Sequence, residues 1–206
     1  MARKRISVAV IGEGITEKYY IQSLRDILEI KPNPIKPKKS SLKELEISIK
    51  DCIKKGYSKV FCLIDKDNKI YDGNADHERN AAEYARLKRQ YHNKLHKCAD
   101  GSVTQIVMIE SYPATEIFFL YYFGYTTAHY TNQQLKRILN NKFGYLTEEH
   151  YLIKHSLHDT LVEYGGSLET AIRASLQSIQ NIDRNMDTSF SEISILLQDL
   201  RIKTNG

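Results

Sequence analysis

Two runs of apolar, largely β-branched residues each end in acid, and this constrains the chain more than any other feature. Val8-Ala-Val-Ile11 leads through Gly12 to Glu13, and Val60-Phe-Cys-Leu-Ile64 leads directly to Asp65, with Asp67 two residues on. Runs without polar alternation suit strands buried on both faces, as in parallel sheets covered by helices. In such sheets ligands collect at the carboxyl ends of the strands. The pattern therefore predicts three carboxylates on one rim of one sheet. Acids brought together in this way repel one another unless a cation neutralises them, which points to a divalent metal site.

The rest of the chain bounds this reading. At 206 residues it can bury a substantial core as one domain, or one domain with an appendage. Hydrophobic residues at 41% and charged residues at 27% suit a soluble globular protein. The formal net charge of +5 permits a nucleic-acid partner without requiring one. Cys52, Cys62 and Cys98 lie far apart and form no C-x-x-C pair, so a reducing cytoplasm is the expected location. Met1 to Arg5 followed by Ile6 to Ile11 imitates a signal peptide, but the apolar stretch stops at Gly12-Glu13 without a small-residue cleavage site. No run approaches the length of a membrane span, so no membrane association is expected.

Periodicity orders the elements. Tyr20, Leu24, Ile27 and Leu28 make a helical stripe over 16–29, opened by Thr16 and Glu17. Pro32, Pro34 and Pro37 exclude helix and leave an extended edge segment or a loop. Ser41-Leu-Lys-Glu44 is a capping box for a helix that runs to Gly56. A strand over 59–64, a loop over 68–77, a charged helix over 78–98 and a strand over 103–109 follow. From Ser111 the pattern is helical only, at 116–123, 133–139, 168–179 and 193–200. The fold class is α/β. Residues 1–112 form a parallel-sheet core, and 113–206 a mainly helical extension packed on it, together one compact unit.

The order of these motifs resembles the Toprim pattern of topoisomerases, DnaG-type primases and OLD nucleases: a strand, Glu-Gly-x-x-Glu opening a helix, and a later strand ending in Asp-x-Asp. The matching residues are Glu13-Gly-Ile-Thr-Glu17 and Asp65-Lys-Asp67. The second half is similar to RloB-like (AbiLii-type) proteins. Ser111-Tyr-Pro-Ala-Thr-Glu116-Ile-Phe-Phe-Leu-Tyr-Tyr-Phe resembles their Asn-Pro-Cys-Phe-Glu-Leu-Trp-Leu-Leu-Leu-His-Phe segment. Asp187-Thr-Ser-Phe-Ser-Glu-Ile resembles their Asn-Pro-Ser-Thr-Asn-Val, which also precedes a closing helix. Ala114-Thr115 replaces Cys-Phe, and Tyr112 replaces the Asn before proline. Topoisomerase sites carry a further Asp two residues on, where this chain has Lys69, which argues for the OLD-like nuclease branch.

The resemblance implies a metal-dependent nuclease, acting on DNA or RNA as a toxic effector of bacterial anti-phage defence (abortive infection), with an ABC-class ATPase partner encoded nearby. A homo-oligomer is compatible with it. Asp65 and Asp67 would hold Mg²⁺ or Mn²⁺, hard cations that prefer carboxylate oxygen. Glu13 either completes the coordination or works as general base or acid. Glu17, one turn after Glu13, could build a second metal site with Glu116. The plainer account of Glu17 and Glu116 is a carboxylate stabilised at a helix start. Lys36, Lys38 and Lys39, with Lys31 beside them, are candidate phosphate contacts, or charges that keep an edge strand from pairing. Lys154 and His155 lie where RloB-like proteins carry a basic residue and are further candidates.

Four other chemistries are disfavoured. The aromatic run from Phe118 to Tyr125 is core rather than a base-stacking platform. The His92/His96 and His155/His158 pairs lack partners for zinc. No G-x-x-x-x-G-K-[ST] loop is present, so the chain is not itself an ATPase. A haloacid-dehalogenase-like phosphatase with Asp65 as nucleophile fits poorly, because that motif belongs on the first strand and continues Gly-Thr or Gly-Val. A catalytically silent module that keeps the fold and docks on the ATPase is the alternative from another class.

Overall fold

A computed structural model describes residues 6–182 and 188–203. In chain order these form β1 (Val8–Ile11), α1 (Ile15–Ser23), β2 (Asn33–Ile35), α2 (Leu42–Lys54), β3 (Lys59–Asp65), α3 (Ala75–Tyr91), β4 (Lys94–Lys97) and β5 (Val103–Tyr112). There follow α4 (Glu116–Tyr121), α5 (Asn132–Phe143), α6 (Glu149–Lys154), α7 (Leu157–Glu163), α8 (Leu168–Gln180), β6 (Phe190–Ser191) and α9 (Ile193–Leu200). The sheet order is β2-β1-β3-β5-β4. β2, β1, β3 and β5 are parallel, while β4 and β6 pair antiparallel with successive stretches of β5. This is an α/β fold with a Toprim-like, mostly parallel sheet between helical layers, and a mainly helical C-terminal half packed on it.

The period of two along each strand explains why the runs are apolar throughout. Ala9, Ile11, Val60, Cys62, Ile64, Ile106 and Met108 face α2 and α3, where Leu45, Ile49, Tyr84 and Leu87 receive them. The alternate residues Val8, Val10, Phe61, Leu63, Val107 and Ile109 face Tyr20 and Leu24 of the α1 segment and the C-terminal helices. Both faces are dry, as the absence of polar alternation requires. Phe118, Phe119, Tyr121 and Tyr122 of the aromatic run are fully buried in this second layer, confirming the run as core. Each contributes about 1.5–3 kcal/mol by leaving water.

Three sequence expectations change. The charged helix stops at Tyr91 rather than 98. Asn93 takes a left-handed φ of 56°, and Lys94–Lys97 turns back as an antiparallel edge strand against Val103–Ile106. Asn tolerates that backbone region, and a lysine-bearing strand guards an open sheet edge. The C-terminal half is not helical only, since Ser191 and Tyr112 anchor the short pairing of β6 with β5 through Ser111 and Phe190. The helix expected over 16–29 ends at Ser23 and gives way to turns over 24–27. The edge segment or loop expected at 31–39 holds, with Asn33–Ile35 forming the edge strand β2, which its prolines permit. In the Asp187–Ile193 motif, Asp187 lies outside the described residues.

The topology fixes where a ligand can bind. The chain leaves β1 through α1 toward β2 on one side, and leaves β3 through α3 toward β5 on the other. β1 and β3 are neighbours, so the two connections diverge and open a crevice between the strand ends. Glu13 follows one strand and Asp65 ends the other.

Candidate active site

Glu13 and Glu17 owe their positions to the tight turn out of β1. The Gly12 amide still donates to the Ile35 carbonyl at 3.0 Å, which pins the turn to β2. A Cβ on Gly12 would lie 2.4 Å from the Glu17 Cβ, so glycine is needed for this close approach. Gly14 caps α1, and its amide donates to Glu17 Oε2 at 2.7 Å. Glu17 thus acts as a helix cap, as the plainer account has it, yet it is also buried and lines the crevice.

The second wall comes from β3 and the start of α4. Asp65 Oδ1 accepts from the Thr115 amide at 2.8 Å and from its hydroxyl at 3.1 Å. The Lys66 and Asp67 amides both donate to the Pro113 carbonyl, at 3.0 and 2.9 Å, joining the β3 exit to the turn before α4. Glu116, 4% exposed, accepts from the Tyr145 hydroxyl at 3.1 Å, and Lys136 Nζ lies 4.0 Å from the same oxygen. Asp67 Oδ2 accepts from Asn132 Nδ2 at 3.1 Å.

Glu13, Glu17, Asp65, Asp67 and Glu116 therefore line one cleft of about 260 Å³, together with Asn132 and Lys136. Lys66, between the two aspartates, points elsewhere. Its ammonium lies 4.7 Å over the Tyr84 ring, in a separate network where Glu110 accepts from Tyr84 and pairs with Lys88. The i, i+2 spacing thus puts both aspartates on the cleft side.

The electrostatics are those of crowded acid. Burial, and then the nearby Glu116, push the Glu17 carboxyl up to about 7. Burial, followed by repulsion from Glu17, Glu13 and Glu116, lifts Asp65 well above the carboxylate range. Glu13 is also raised by burial, although Lys69 pulls the other way. Lys69 is the main counter-charge. Only 5% exposed, its Nζ lies 3.0 and 3.1 Å from the two Glu13 oxygens, 2.7 Å from the Asp65 carbonyl oxygen and 3.1 Å from Asn68 Oδ1.

The donor set fits a hard divalent cation: several carboxylates, two of them kept from ionising easily by burial and by neighbouring acids. Among the described residues no three Asp, Glu, His or Cys side chains stand close enough together to enclose an ion. Glu17 is held by the Gly14 amide, Asp65 by Thr115, Glu116 by Tyr145, Glu13 by Lys69 and Asp67 by Asn132, so coordination would require the ligating carboxylates to turn toward one another.

The proposed phosphate contacts divide. Lys36, Lys38 and Lys39 are exposed on the loop after β2, and the next residue, Ser40, lines the cleft and donates to the Glu13 carbonyl at 2.8 Å. Lys154 and His155 end α6 and do not line the cleft; His155 stacks on Tyr151. Sequence reasoning missed Asn132, Lys136, Thr115 and Tyr145. The signal that could have found the first two is the Thr131-Asn-Gln-Gln134 capping box that opens α5, with Asn132 and Lys136 on one face of that helix at i, i+4.

A mostly parallel α/β sheet with an acidic cleft at its topological switch point is the class of protein these observations define. The family model for RloB-like proteins matches residues 8–200, and the chain belongs to that family. No curated protein and no solved structure matches it. Among the described residues no helix is long and apolar enough to cross a membrane.

Proposed function

We propose that this protein is a metal-dependent nucleic-acid phosphodiesterase of the Toprim type. Its proposed setting is the cytoplasm, as an effector of anti-phage defence alongside an ABC-class ATPase. The observation that carries the reading is the gathering of Glu13, Glu17, Asp65, Asp67 and Glu116, distant in sequence, on one cleft at the strand ends. Glu17, Asp65 and Glu116 are the candidate holders of Mg²⁺ or Mn²⁺, with Asp67 at the cleft edge. A bound divalent ion supplies charge stabilisation at a phosphate and lowers the pKa of a coordinated water.

The chain's own groups account for the rest. Lys136, beside Glu116, supplies a positive charge for a phosphodiester oxygen, and Asn132 next to it offers amide donors. The exposed Lys38 and Lys39 lie two and one residues before cleft-lining Ser40 and can extend that contact along a strand. Glu13, held against Lys69, is placed to accept a proton from an attacking water.

The test is incubation with tRNA, single-stranded DNA and duplex DNA in Mg²⁺, Mn²⁺ or EDTA. Cleavage of one class that is lost in EDTA and in Asp65→Asn is the expected result. Absence of cleavage in every mixture, including one with the ATPase partner, overturns the reading. It would favour a silent module that docks on the ATPase, an alternative supported by Lys69, which already neutralises part of the acidic cleft.

A further inference from the structure

Lys69 reaches back from the loop after β3 and sets an ammonium group among the acids. A buried cation is tolerated only when its donors are satisfied. Here Glu13, the Asp65 carbonyl and Asn68 accept from it, and its own amide donates to the Lys66 carbonyl at 3.1 Å. It is therefore fixed rather than a chance surface contact. It also divides the cleft electrostatically. Glu13 has its counter-charge, whereas Glu17, Asp65 and Glu116 line the same cleft and accept at hydrogen-bond distance only from uncharged donors, the Gly14 amide, Thr115 and Tyr145. Lys136 approaches Glu116 no closer than 4.0 Å and is half exposed.

Five carboxylates on one cleft are enough to hold a pair of divalent ions, as in many phosphodiesterases. An ion bound between Glu13 and Asp65, however, would sit directly beside the Lys69 ammonium and be repelled by it. We infer that the Lys69 ammonium stands in for one of two cations, so that the cleft takes a single divalent ion, with Glu17, Asp65 and Glu116 turning together to hold it, and leaves Glu13 free of it. This rests on the metal-dependent reading above. Lys69 is a positioning residue in this scheme: it holds Glu13 ready as a proton acceptor and sets the metal count.

Calorimetric titration of the full chain with Mn²⁺, with free Mn²⁺ followed by electron paramagnetic resonance, reads that count without any activity assay. The wild type should bind one ion per chain, and Lys69→Arg should do the same. Lys69→Met, folded by circular dichroism, should bind two, the second more weakly. Should Lys69→Met fail to fold, Glu13→Gln decides. It should still bind one ion, with affinity changed by no more than a few-fold, since Glu13 is not a ligand. Two ions in the wild type, one ion in folded Lys69→Met, or loss of binding in Glu13→Gln each overturn the role of Lys69 while leaving a metal enzyme standing. No Mn²⁺ binding by any form overturns the metal-dependent reading and this inference together.

Discussion

Asp65, the last residue of β3, is held by Thr115, fifty positions later, through both the amide and the hydroxyl at 2.8 and 3.1 Å. This pair of hydrogen bonds joins the sheet to the helical half at the point where the acids meet. Thr115→Val keeps the amide donor and removes the hydroxyl. It should lower stability by about 0.5–1.5 kcal/mol in urea denaturation. It should also weaken Mn²⁺ binding measured on the same preparation, because Asp65 loses one of the two bonds that aim it. Unchanged metal affinity would show that Thr115 serves the fold alone.

Asp65→Asn keeps the shape and the acceptor but removes charge from a buried, repulsive cluster. It should abolish cleavage while raising the stability of the metal-free protein at pH 8 by on the order of 1 kcal/mol. Thermal melts in EDTA measure the second effect. A destabilised metal-free variant would mean that the carboxylate is satisfied in the cleft without a cation.

Glu17 predicts the pH dependence. Its folded carboxyl titrates at about 7, above the ordinary 4.5, so the folded state holds its proton over a range in which the unfolded chain has released it. Stability from this group is therefore fully present below about pH 4.5 and is lost as pH rises through about 7. The loss should approach about 3 kcal/mol between those limits, measured as the urea midpoint in EDTA from pH 5 to 8. Glu17→Gln should flatten the slope, and saturating Mn²⁺ should reverse it in the wild type.

Glu116 separates a ligand from a helix-start acid. If the helix dipole alone accounts for it, Glu116→Gln costs a few tenths to about 1 kcal/mol and leaves cleavage intact. Its burial against Tyr145, facing Glu17 and Asp65, favours the other outcome. Mn²⁺ affinity and cleavage should both fall by orders of magnitude.

Gly12→Ala tests the turn rather than the chemistry. The added methyl would meet the Glu17 Cβ at 2.4 Å, and the backbone must shift to relieve it. A loss of about 1–3 kcal/mol and a misplaced Glu17, read as weakened Mn²⁺ binding, are expected.

Much of the frame was legible in the chain because burial writes a simple code. Val8–Ile11 and Lys59–Asp65 carry no polar alternation over their apolar stretches, and only a sheet covered on both faces accommodates that. Glu13 and Asp65 follow those strands, so their shared rim could be read once the strands were taken as parallel neighbours. The end of α3 was not legible. Residues 94–97 carry a helix-compatible mixture, and the left-handed turn at Asn93 together with pairing to β5 decides them. β6 is two residues long, too short for periodicity to register.

The residues themselves determined which acids stand at strand ends and helix starts, since local pattern and capping act over a few positions. Tertiary structure alone decided their neighbours. Asn132 and Lys136 are unremarkable positions on an amphipathic helix until α5 packs across the crevice and turns them toward Asp67 and Glu116. Lys69 read only as a missing acid until the loop folded back and buried its ammonium against Glu13. The physical reason is the same in each case. Charge pairing depends on separation in space, which the chain reaches only after both apolar faces of the sheet are covered.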